Sequence, residues 1–176
     1  SRQKFVNEYV QSFSGCKILD IGCGTARILD VLPYNIEYYG FDMSQIYIDD
    51  AIKHYKTRGT FECSMVDSMA LEKLPQFDIV LVMGVLHHLD DEQVINLMKL
   101  VKTALTDEGR MVSIDPCFAQ NQSLFSRFLV SRDRGQNIRT NDSYNQLANK
   151  IFPQVKGEVK HTHWIPYTHW IMECWR

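Results

Sequence analysis

The sequence predicts an α/β fold in which a doubly wound, mostly parallel sheet of seven strands ends with an antiparallel last strand. Short apolar or β-branched segments alternate with segments of helical periodicity over most of the chain, which is the pattern of repeated β-α-β units. Residues 79–83 form a continuous apolar run, as expected for a strand covered on both faces. Two β-rich segments on either side of Pro166 close the chain, and they favour an antiparallel final pair.

The composition indicates one globular domain, which we expect to span residues 1–176. The 176 residues are 45% hydrophobic and carry a formal charge of −2, without the basic excess typical of proteins that bind nucleic acid through bulk charge. No apolar run approaches the length of about 18 residues that a membrane span needs, and residues 1–10 lack the core of a secretory signal. The five scattered cysteines form no Cys-x-x-Cys pair, which argues against a disulfide framework or a structural zinc site and favours the cytoplasm.

The first half of the chain contains three predicted strands and two predicted helices. In order, they are a strand at 17–21, a short helix at 26–32, a strand at 36–41, a helix at 44–55 and a weaker strand at 60–66. Pro33 stops the first helix, because proline cannot continue a helical hydrogen-bond ladder. In the second helix Ile48, Ala51 and Ile52 recur at helical spacing.

The second half begins with the strongest predicted strand and ends differently from the first half. Its predicted elements are a strand at 77–83, a helix at 90–105, a turn at 106–109, a strand at 110–114, helices at 123–130 and 144–152, and β-rich segments at 155–164 and 167–175. The helix at 90–105 is the clearest one, since Val94, Met98 and Val101 lie on one stripe and acidic residues favour its N-terminus.

A glycine turn, Gly22-Cys23-Gly24, follows the first predicted strand. Dinucleotide-binding folds use a similar turn, but they need a third glycine three residues after the second, where this chain has Arg27. The carboxylate of Asp20 would repel a pyrophosphate and would favour a ligand with an amine or another positive centre. The alternative is that the turn only reverses the chain tightly.

Two more acidic residues follow the next predicted strands. Asp42 lies 22 residues after Asp20, where an open α/β sheet presents an acid to ribose hydroxyls, and Asp67 could accept a hydrogen bond from an exocyclic amine. Taken singly, each of these aspartates is more often a helix cap or a turn residue. Together, three acids at the ends of three consecutive strands indicate one ligand-binding edge.

These motifs resemble those of class I S-adenosylmethionine-dependent methyltransferases. Residues 18–26 (ILDIGCGTA) are similar to the first motif of that family, residues 41–44 (FDMS) to its acidic second motif, and residues 67–69 (DSM) to its adenine-contacting segment. Residues 77–89 resemble the fourth-strand region of the branch that includes quinone-biosynthesis methyltransferases. The resemblance covers residues 14–115, and Ala26 departs from it where the family often has a third glycine. It implies a Rossmann-like methyltransferase fold.

The resemblance also implies a role for each matching residue in binding S-adenosylmethionine. The backbone of Gly22, Cys23 and Gly24 would approach the methionine portion, and Asp20 would help to orient its ammonium. The ribose and adenine would contact Asp42, Met43, Asp67, Ser68 and Met69. Met83 and Gly84, at the end of the fourth strand, would face the reacting sulfonium.

His87 and His88 are the candidate catalytic residues. Histidine titrates near neutral pH and is a frequent general base. Adjacent residues in a helix or turn point about 100° apart, so at most one of the two could face the cofactor. The alternative is that one packs under the sheet and the other orients the following helix. The sequence therefore establishes no base.

The substrate-binding region is predicted in a basic lid insertion at residues 116–153. Residues 116–141 contain four arginines and one aspartate, for a net charge of +3. Arginine binds carboxylate or phosphate groups with two parallel hydrogen bonds, so Arg132, Arg134 and Arg139 are the candidate ligands of an anionic or polar acceptor. The alternative is a solvated basic loop.

Other aromatic and histidine residues carry weaker signals. Phe5, Tyr9 and Phe13 indicate an amphipathic N-terminal helix that covers the cofactor site or packs on the sheet. His161, His163 and His169 lack a nearby cysteine or carboxylate, so we expect no metal site.

The sequence thus predicts an enzyme that transfers a methyl group from S-adenosylmethionine to a small molecule and releases S-adenosylhomocysteine. Alternatives are methylation of protein or nucleic acid, a cofactor-binding protein without turnover, and a nicotinamide dehydrogenase. Enzymes that methylate base amino groups place Asn/Asp-Pro-Pro-aromatic after the fourth strand, where this chain has residues 83–86 (MGVL), so no nucleic-acid partner is expected. The oligomeric state stays open.

Overall fold

A central sheet of eight strands organises the protein in a computed structural model. The structure describes residues 1–120, 122–132, 135–162 and 167–176. The strands are β1 (Lys17–Ile21), β2 (Glu37–Asp42), β3 (Thr60–Cys63), β4 (Phe77–Met83), β5 (Leu105–Phe118), β6 (Arg139–Thr140), β7 (Gln154–Thr162) and β8 (Tyr167–Trp175). Seven of them follow the order β3-β2-β1-β4-β5-β8-β7, and the two-residue β6 pairs with the end of β5.

The pairing confirms the predicted doubly wound, mostly parallel sheet. Strands β1 to β5 run parallel to one another, whereas β8 pairs antiparallel with both β5 and β7. The predicted last β pair is therefore confirmed, while Pro166 and the end of the segment 155–164 lie outside the described residues. The carboxyl ends of the parallel strands meet at one edge, where ligands bind in folds of this class.

Six α-helices flank the sheet within the described residues. They are α1 (Arg2–Phe5), α2 (Gln45–Tyr55), α3 (Ser68–Leu71), α4 (Asp91–Ala104), α5 (Leu124–Ser131) and α6 (Asn141–Asn149). The start of α4 is fixed by a capping box between Asp90 and Gln93, which satisfies two backbone N–H groups that a helix leaves unpaired. None of the helices in the described ranges is both long and apolar enough to cross a bilayer.

The two faces of the sheet bury separate apolar cores. Along β4, Ile79 and Leu81 pack with the N-terminal segment and α2, whereas Val80 and Val82 pack with α4 and α6. This alternation is the period-2 pattern of a strand buried on both sides, and it explains why β4 is so apolar in sequence.

The structure corrects four local predictions. The predicted helix at 26–32 is a single 3-10 turn, Arg27–Asp30, and it cannot begin at Ala26 because that residue adopts a left-handed conformation with φ of 53°. The predicted turn at 106–109 lies inside β5 as a bulge between the pairs Phe77–Leu105 and Ile79–Arg110.

The other two corrections concern the third strand and the N-terminus. β3 ends at Cys63 instead of 66. The N-terminal helix continues from α1 as a π-helical turn, Val6–Val10, and Gln11 ends it in a left-handed conformation. Phe13 is consequently 56% exposed and does not join Phe5 and Tyr9 on one helical face.

Candidate functional site

Two cavities lie at the carboxyl edge of the parallel strands and share Gly22 as a wall. The first, which we call the acidic cleft, has a volume of about 510 Å³ and is lined in part by Asp42, Met43, Asp67 and Ser68. The second, which we call the strap cavity, has a volume of about 850 Å³ and extends from the glycine turn to the N-terminal segment. The two cavities therefore adjoin at Gly22.

Gly22 occupies a position that only glycine suits. Its φ is +76°, and a Cβ built on it would lie 2.5 Å from Cγ2 of Val85, which lines the acidic cleft. The N–H groups of Gly22 and Cys23 both donate to the carbonyl of Phe41, at 2.8 and 3.0 Å. These two hydrogen bonds attach the turn to β2.

Asp42, the last residue of β2, holds the glycine turn in place. Its Oδ2 accepts the N–H of Gly24 at 2.9 Å, and its Oδ1 accepts the N–H of Ser44 at 2.8 Å. A carboxylate offers about four lone-pair positions, so both oxygens keep acceptor capacity toward the cleft. The bond to Ser44 matches the turn-residue alternative for Asp42, whereas its contact with a ligand stays a prediction.

The far wall of the acidic cleft comes from the start of α3. Asp67 caps this helix by accepting the N–H of Ala70 at 2.8 Å, and Asp67 and Ser68 both line the cleft. Met43 lines it as well and is 72% exposed, so its thioether side chain can pack on a planar ligand. Met69 is 67% exposed and does not line the cleft.

Asp20 lines neither cavity. It is fully buried, and Oδ2 accepts a hydrogen bond from the hydroxyl of Tyr38 at 2.6 Å. Oδ1 has no hydrogen-bond partner among the described residues. The pKa of Asp20 is raised to about 7, mainly because the carboxyl group is buried. The hydrogen bond from Tyr38 lowers this pKa, and the charge of Asp42 contributes to the rise. A positively charged ligand above the turn would favour the ionised form.

We expect Asp20→Asn to stabilise the ligand-free protein at alkaline pH. One pKa unit is worth about 1.4 kcal/mol, and the pKa of Asp20 is raised from 3.8 to about 7. Below pH 3.8 Asp20 is protonated in both the folded and the unfolded chain, so it does not affect the free energy of unfolding. Between pH 3.8 and 7 the unfolded chain ionises more readily, so Asp20 lowers the free energy of unfolding increasingly. Urea unfolding should show a gain of roughly 2–4 kcal/mol at pH 8 and almost none at pH 4. The exposed Asp49→Asn serves as the control, and an equal gain at both pH values would contradict the buried-carboxyl explanation.

The strap cavity combines the end of β4 with the N-terminal segment. Met83, Phe5 and Tyr9 line it, and the Tyr9 hydroxyl donates to Oε2 of Glu158 at 2.7 Å on β7. Cys23 also lines the cavity, but burial raises the pKa of its thiol. The thiol is therefore protonated at neutral pH and is unsuited to act as a nucleophile.

Gly84 follows Met83 directly, and His87 comes three residues after Gly84. Gly84 has a φ of +69° and donates its N–H to the carbonyl of Ile114 at 2.8 Å. A Cβ built on Gly84 would lie 3.8 Å from Cε1 of His87, so the edge of the imidazole ring adjoins this glycine. His87 itself lines neither cavity and is buried.

His87 forms a buried pair with Asp115, a residue that sequence reasoning missed. His87 Nδ1 lies 2.8 Å from Oδ1 of Asp115, and the His87 backbone N–H donates to the same oxygen at 3.1 Å. Burial raises the pKa of Asp115, while its bonds with His87 oppose that rise. The rings of His87 and His88 lie 4.0 Å apart. The signal in the sequence was an aspartate within the apolar strand β5.

Arg132 and Arg139, the candidate arginines that the structure describes, line neither cavity. The side chain of Arg139 is 9% exposed and pairs with Asp91 at 2.7 Å. Arg132 ends α5 with its guanidinium 5.2 Å from the ring centroid of Phe128. Arg134 lies outside the described residues. The geometry lends no support to acceptor binding by Arg139.

The histidines of the C-terminal strands lie close to the strap cavity. His161 and His169 line it, whereas His163 is not among the described residues. Within the described ranges, no three His, Cys, Asp or Glu side chains are grouped so that they could hold a metal ion.

Sequence comparison relates the chain to methyl-transferring enzymes. A family profile described as "Methyltransferase domain" matches residues 12–173. Myricetin 3'-O-methyltransferase 4 of Solanum lycopersicum is 24% identical, with 98% of this chain and 48% of that protein covered. Anthranilate N-methyltransferase of Ruta graveolens is 24% identical, with 82% and 42% covered. The chain spans about half the length of the curated relatives it matches.

Structure comparison gives the same fold. A SAM dependent methyltransferase from Archaeoglobus fulgidus superimposes with a TM-score of 0.75 at 20% identity, over 99% of this chain and 94% of that one. The plantazolicin methyltransferase BpumL, in complex with a triazolic desmethylPZN analog and SAH, gives a TM-score of 0.70 at 16% identity, over 99% and 83%. These likenesses concern the fold, and the quinone-biosynthesis branch stays a prediction.

Proposed function

The chain belongs to the methyltransferase domain family, and we propose that it transfers the methyl group of S-adenosylmethionine to a nucleophilic atom of a small molecule. In this reaction the sulfur–methyl bond breaks and an acceptor–methyl bond forms. S-adenosylhomocysteine is the second product, and an acceptor O–H or N–H loses a proton. The observation that carries the proposal is the pair of cavities that meet at Gly22.

The acidic cleft fits the adenosine portion of the cofactor. The carboxylates of Asp42 and Asp67 can accept hydrogen bonds from ribose hydroxyls and from the adenine amine, and Met43 offers an apolar face to the base. The methionine portion would pass Gly22 into the strap cavity, toward Met83. The carboxylates of Asp20 and Asp42 near the turn favour the positive charges of the ammonium and the sulfonium.

The strap cavity fits an aromatic acceptor. Its lining includes the rings of Phe5 and Tyr9, whose centroids lie 5.6 Å apart, and the apolar side chains of Ile114 and Ile171. Such a wall binds a planar ring by burying apolar area. The names of the relatives, a myricetin O-methyltransferase and an anthranilate N-methyltransferase, point to the same acceptor class.

His87 is the proposed acceptor of the proton, with Asp115 as its partner. Its buried ring lines neither cavity, so the proton would have to reach it past Gly84. In the tautomer that donates Nδ1–H to Asp115, the carboxylate orients the ring and stabilises the imidazolium that forms when Nε2 takes up a proton. We assign this tautomer to His87 from its hydrogen bond with Asp115. Positioning of the acceptor against the methyl group supplies a further part of the rate. His88 has no assigned step.

We also retain the predictions of an anionic acceptor, a lid at 116–153 and a cytoplasmic location as proposals. Lys4, Arg27 and Lys160 line the strap cavity, and its lining contains Glu8 as the only carboxylate among the described residues. Five free cysteines are in keeping with a reducing compartment. None of the described residues of 116–153 lines the strap cavity, so the lid rests on the basic sequence of this segment alone.

Methylation of a matched acceptor pair tests the function and the charge of the acceptor together. We expect radiolabelled S-adenosylmethionine to label anthranilate with a kcat/KM at least about 10-fold above that for the neutral anthranilamide, a difference of about 1.4 kcal/mol. Catechols, an RNA and a mixture of small proteins complete the panel. Equal values of kcat/KM for anthranilate and anthranilamide would contradict the proposal of an anionic acceptor. Cofactor binding with no labelled product from any acceptor would instead favour a non-catalytic binding protein.

A further inference from the structure

A short segment of the predicted lid, residues 135–139, packs directly on the loop that carries His87. The backbone N–H of Asn137 donates to the carbonyl of His87 at 2.9 Å. A Cβ built on Gly135 would overlap Cδ2 of His87 and lie 2.8 Å from its carbonyl oxygen. The main chain at Gly135 therefore lies against the imidazole ring, and it can do so because this residue has no side chain.

Arg139 holds the same loop from its two ends. Its Nη1 donates to the carbonyl of Leu86 at 3.0 Å, and its Nη2 donates to the carbonyl of Leu89 at 2.7 Å. Its Nε and Nη2 both lie 2.7 Å from Oδ1 of Asp91 in the first turn of α4. These carbonyls flank the histidine pair, so one guanidinium fixes both ends of the loop and attaches it to α4.

The chemistry of this contact requires an arginine. The guanidinium is planar, stays charged at all pH values of interest and directs several N–H groups in fixed directions. Carbonyl groups that point into a protein need such donors, because an unpaired buried carbonyl is costly. Lysine could satisfy the charge of Asp91 but could not reach both carbonyls with the same rigid geometry.

We propose that Arg139 and Gly135 are positioning residues that hold the His87 ring in hydrogen-bonding geometry with Asp115. Arg139 thereby acts through His87 instead of binding the acceptor. The proposal rests on the proposed function only for its catalytic consequence. The geometric part concerns the His87–Asp115 bond and can be measured without any acceptor.

The geometric part is tested by NMR of the imidazole in the intact chain. In the wild-type protein we expect a slowly exchanging proton on Nδ1 of His87, bonded to Asp115. Arg139→Ala and Gly135→Ala should each lose this proton signal, while Arg132→Ala and Asn137→Ala should keep it. Arg132 caps the C-terminus of α5, whereas Arg139 belongs to β6. Asn137 bonds to His87 through its backbone N–H, which alanine keeps. Retention of the signal in both Arg139→Ala and Gly135→Ala would overturn the proposal.

The catalytic part is tested by a double-mutant cycle. We expect Arg139→Ala to lower kcat about 30-fold with the affinity for S-adenosylhomocysteine unchanged, and to lower it no further when His87 is already alanine. An equal loss in both backgrounds would show a general structural role and would overturn the proposal. An active wild type with a fully active His87→Ala would overturn both the base assignment and its positioning. Absence of turnover in the wild type, with the NMR result as expected, would count against the proposed function alone.

Discussion

Gly22→Ala is expected to weaken the binding of S-adenosylhomocysteine more than any other single substitution proposed here. The new Cβ would lie 2.5 Å from Cγ2 of Val85, and the residue would have to keep a φ of +76°. The left-handed conformation costs an alanine about 1–2 kcal/mol, and the overlap adds about 1–3 kcal/mol. The turn must shift to relieve the overlap, and this shift also moves the wall between the two cavities. Calorimetry should show a loss of affinity of about 100-fold or more.

A matched glycine and a relieving substitution separate strain from loss of the site. Gly15 has a φ of +78° with nothing within 4 Å of a built Cβ, and it lines neither cavity. Gly15→Ala should therefore lose about 1–2 kcal/mol of stability without changing the affinity for S-adenosylhomocysteine. Adding Val85→Ala to Gly22→Ala removes the overlapping atoms and should recover stability. Full affinity in a folded Gly22→Ala protein would contradict the assignment of the turn.

Asp42→Ala should produce the second largest effect. The substitution leaves the N–H groups of Gly24 and Ser44 without their carboxylate and removes the proposed acceptor of the ribose hydroxyls. Hydrogen bonds to a charged group contribute about 1.5–3 kcal/mol each, so we expect the affinity for S-adenosylhomocysteine to fall by roughly 100-fold. Asp42→Asn keeps one oxygen and should lose less.

Asp78 offers a control of similar local geometry. Its Oδ2 accepts the backbone N–H of Lys17 at 2.8 Å, near the beginning of β1 and therefore away from both cavities. Asp78→Ala should lower the free energy of unfolding and leave the affinity for S-adenosylhomocysteine unchanged. Equal loss of affinity in the two variants would mean that Asp42 acts only through the stability of the fold.

The elements that the sequence predicted well are those whose signals are local. The apolar run of β4, the capping residues of α4 and the glycine turn each depend on neighbours a few residues away. The prediction of a turn at 106–109 was wrong, because these residues form a bulge. A bulge depends on the register between β4 and β5, which no single segment encodes. The prediction that Phe13 belongs to the N-terminal helix was also wrong, since the helix ends at Gln11.

The site shows the same division between local and long-range information. Asp42 and Asp67 could be found because each directly follows a predicted strand. The partner of His87 lies 28 residues away in β5, and the carbonyls that Arg139 binds lie 53 and 50 residues away. A basic tract in sequence suggests anion binding, but only the packed structure shows which carbonyls and carboxylates its arginines contact.

Calorimetric titration of the wild-type protein with S-adenosylhomocysteine and, separately, with NAD tests the central claim most directly. The claim is that the cleft and the glycine turn form a site for the adenosine and amino-acid portions of the methyl donor. We expect saturable binding of S-adenosylhomocysteine with one site per chain, and no heat of binding with NAD. Binding of NAD without binding of S-adenosylhomocysteine would contradict the account.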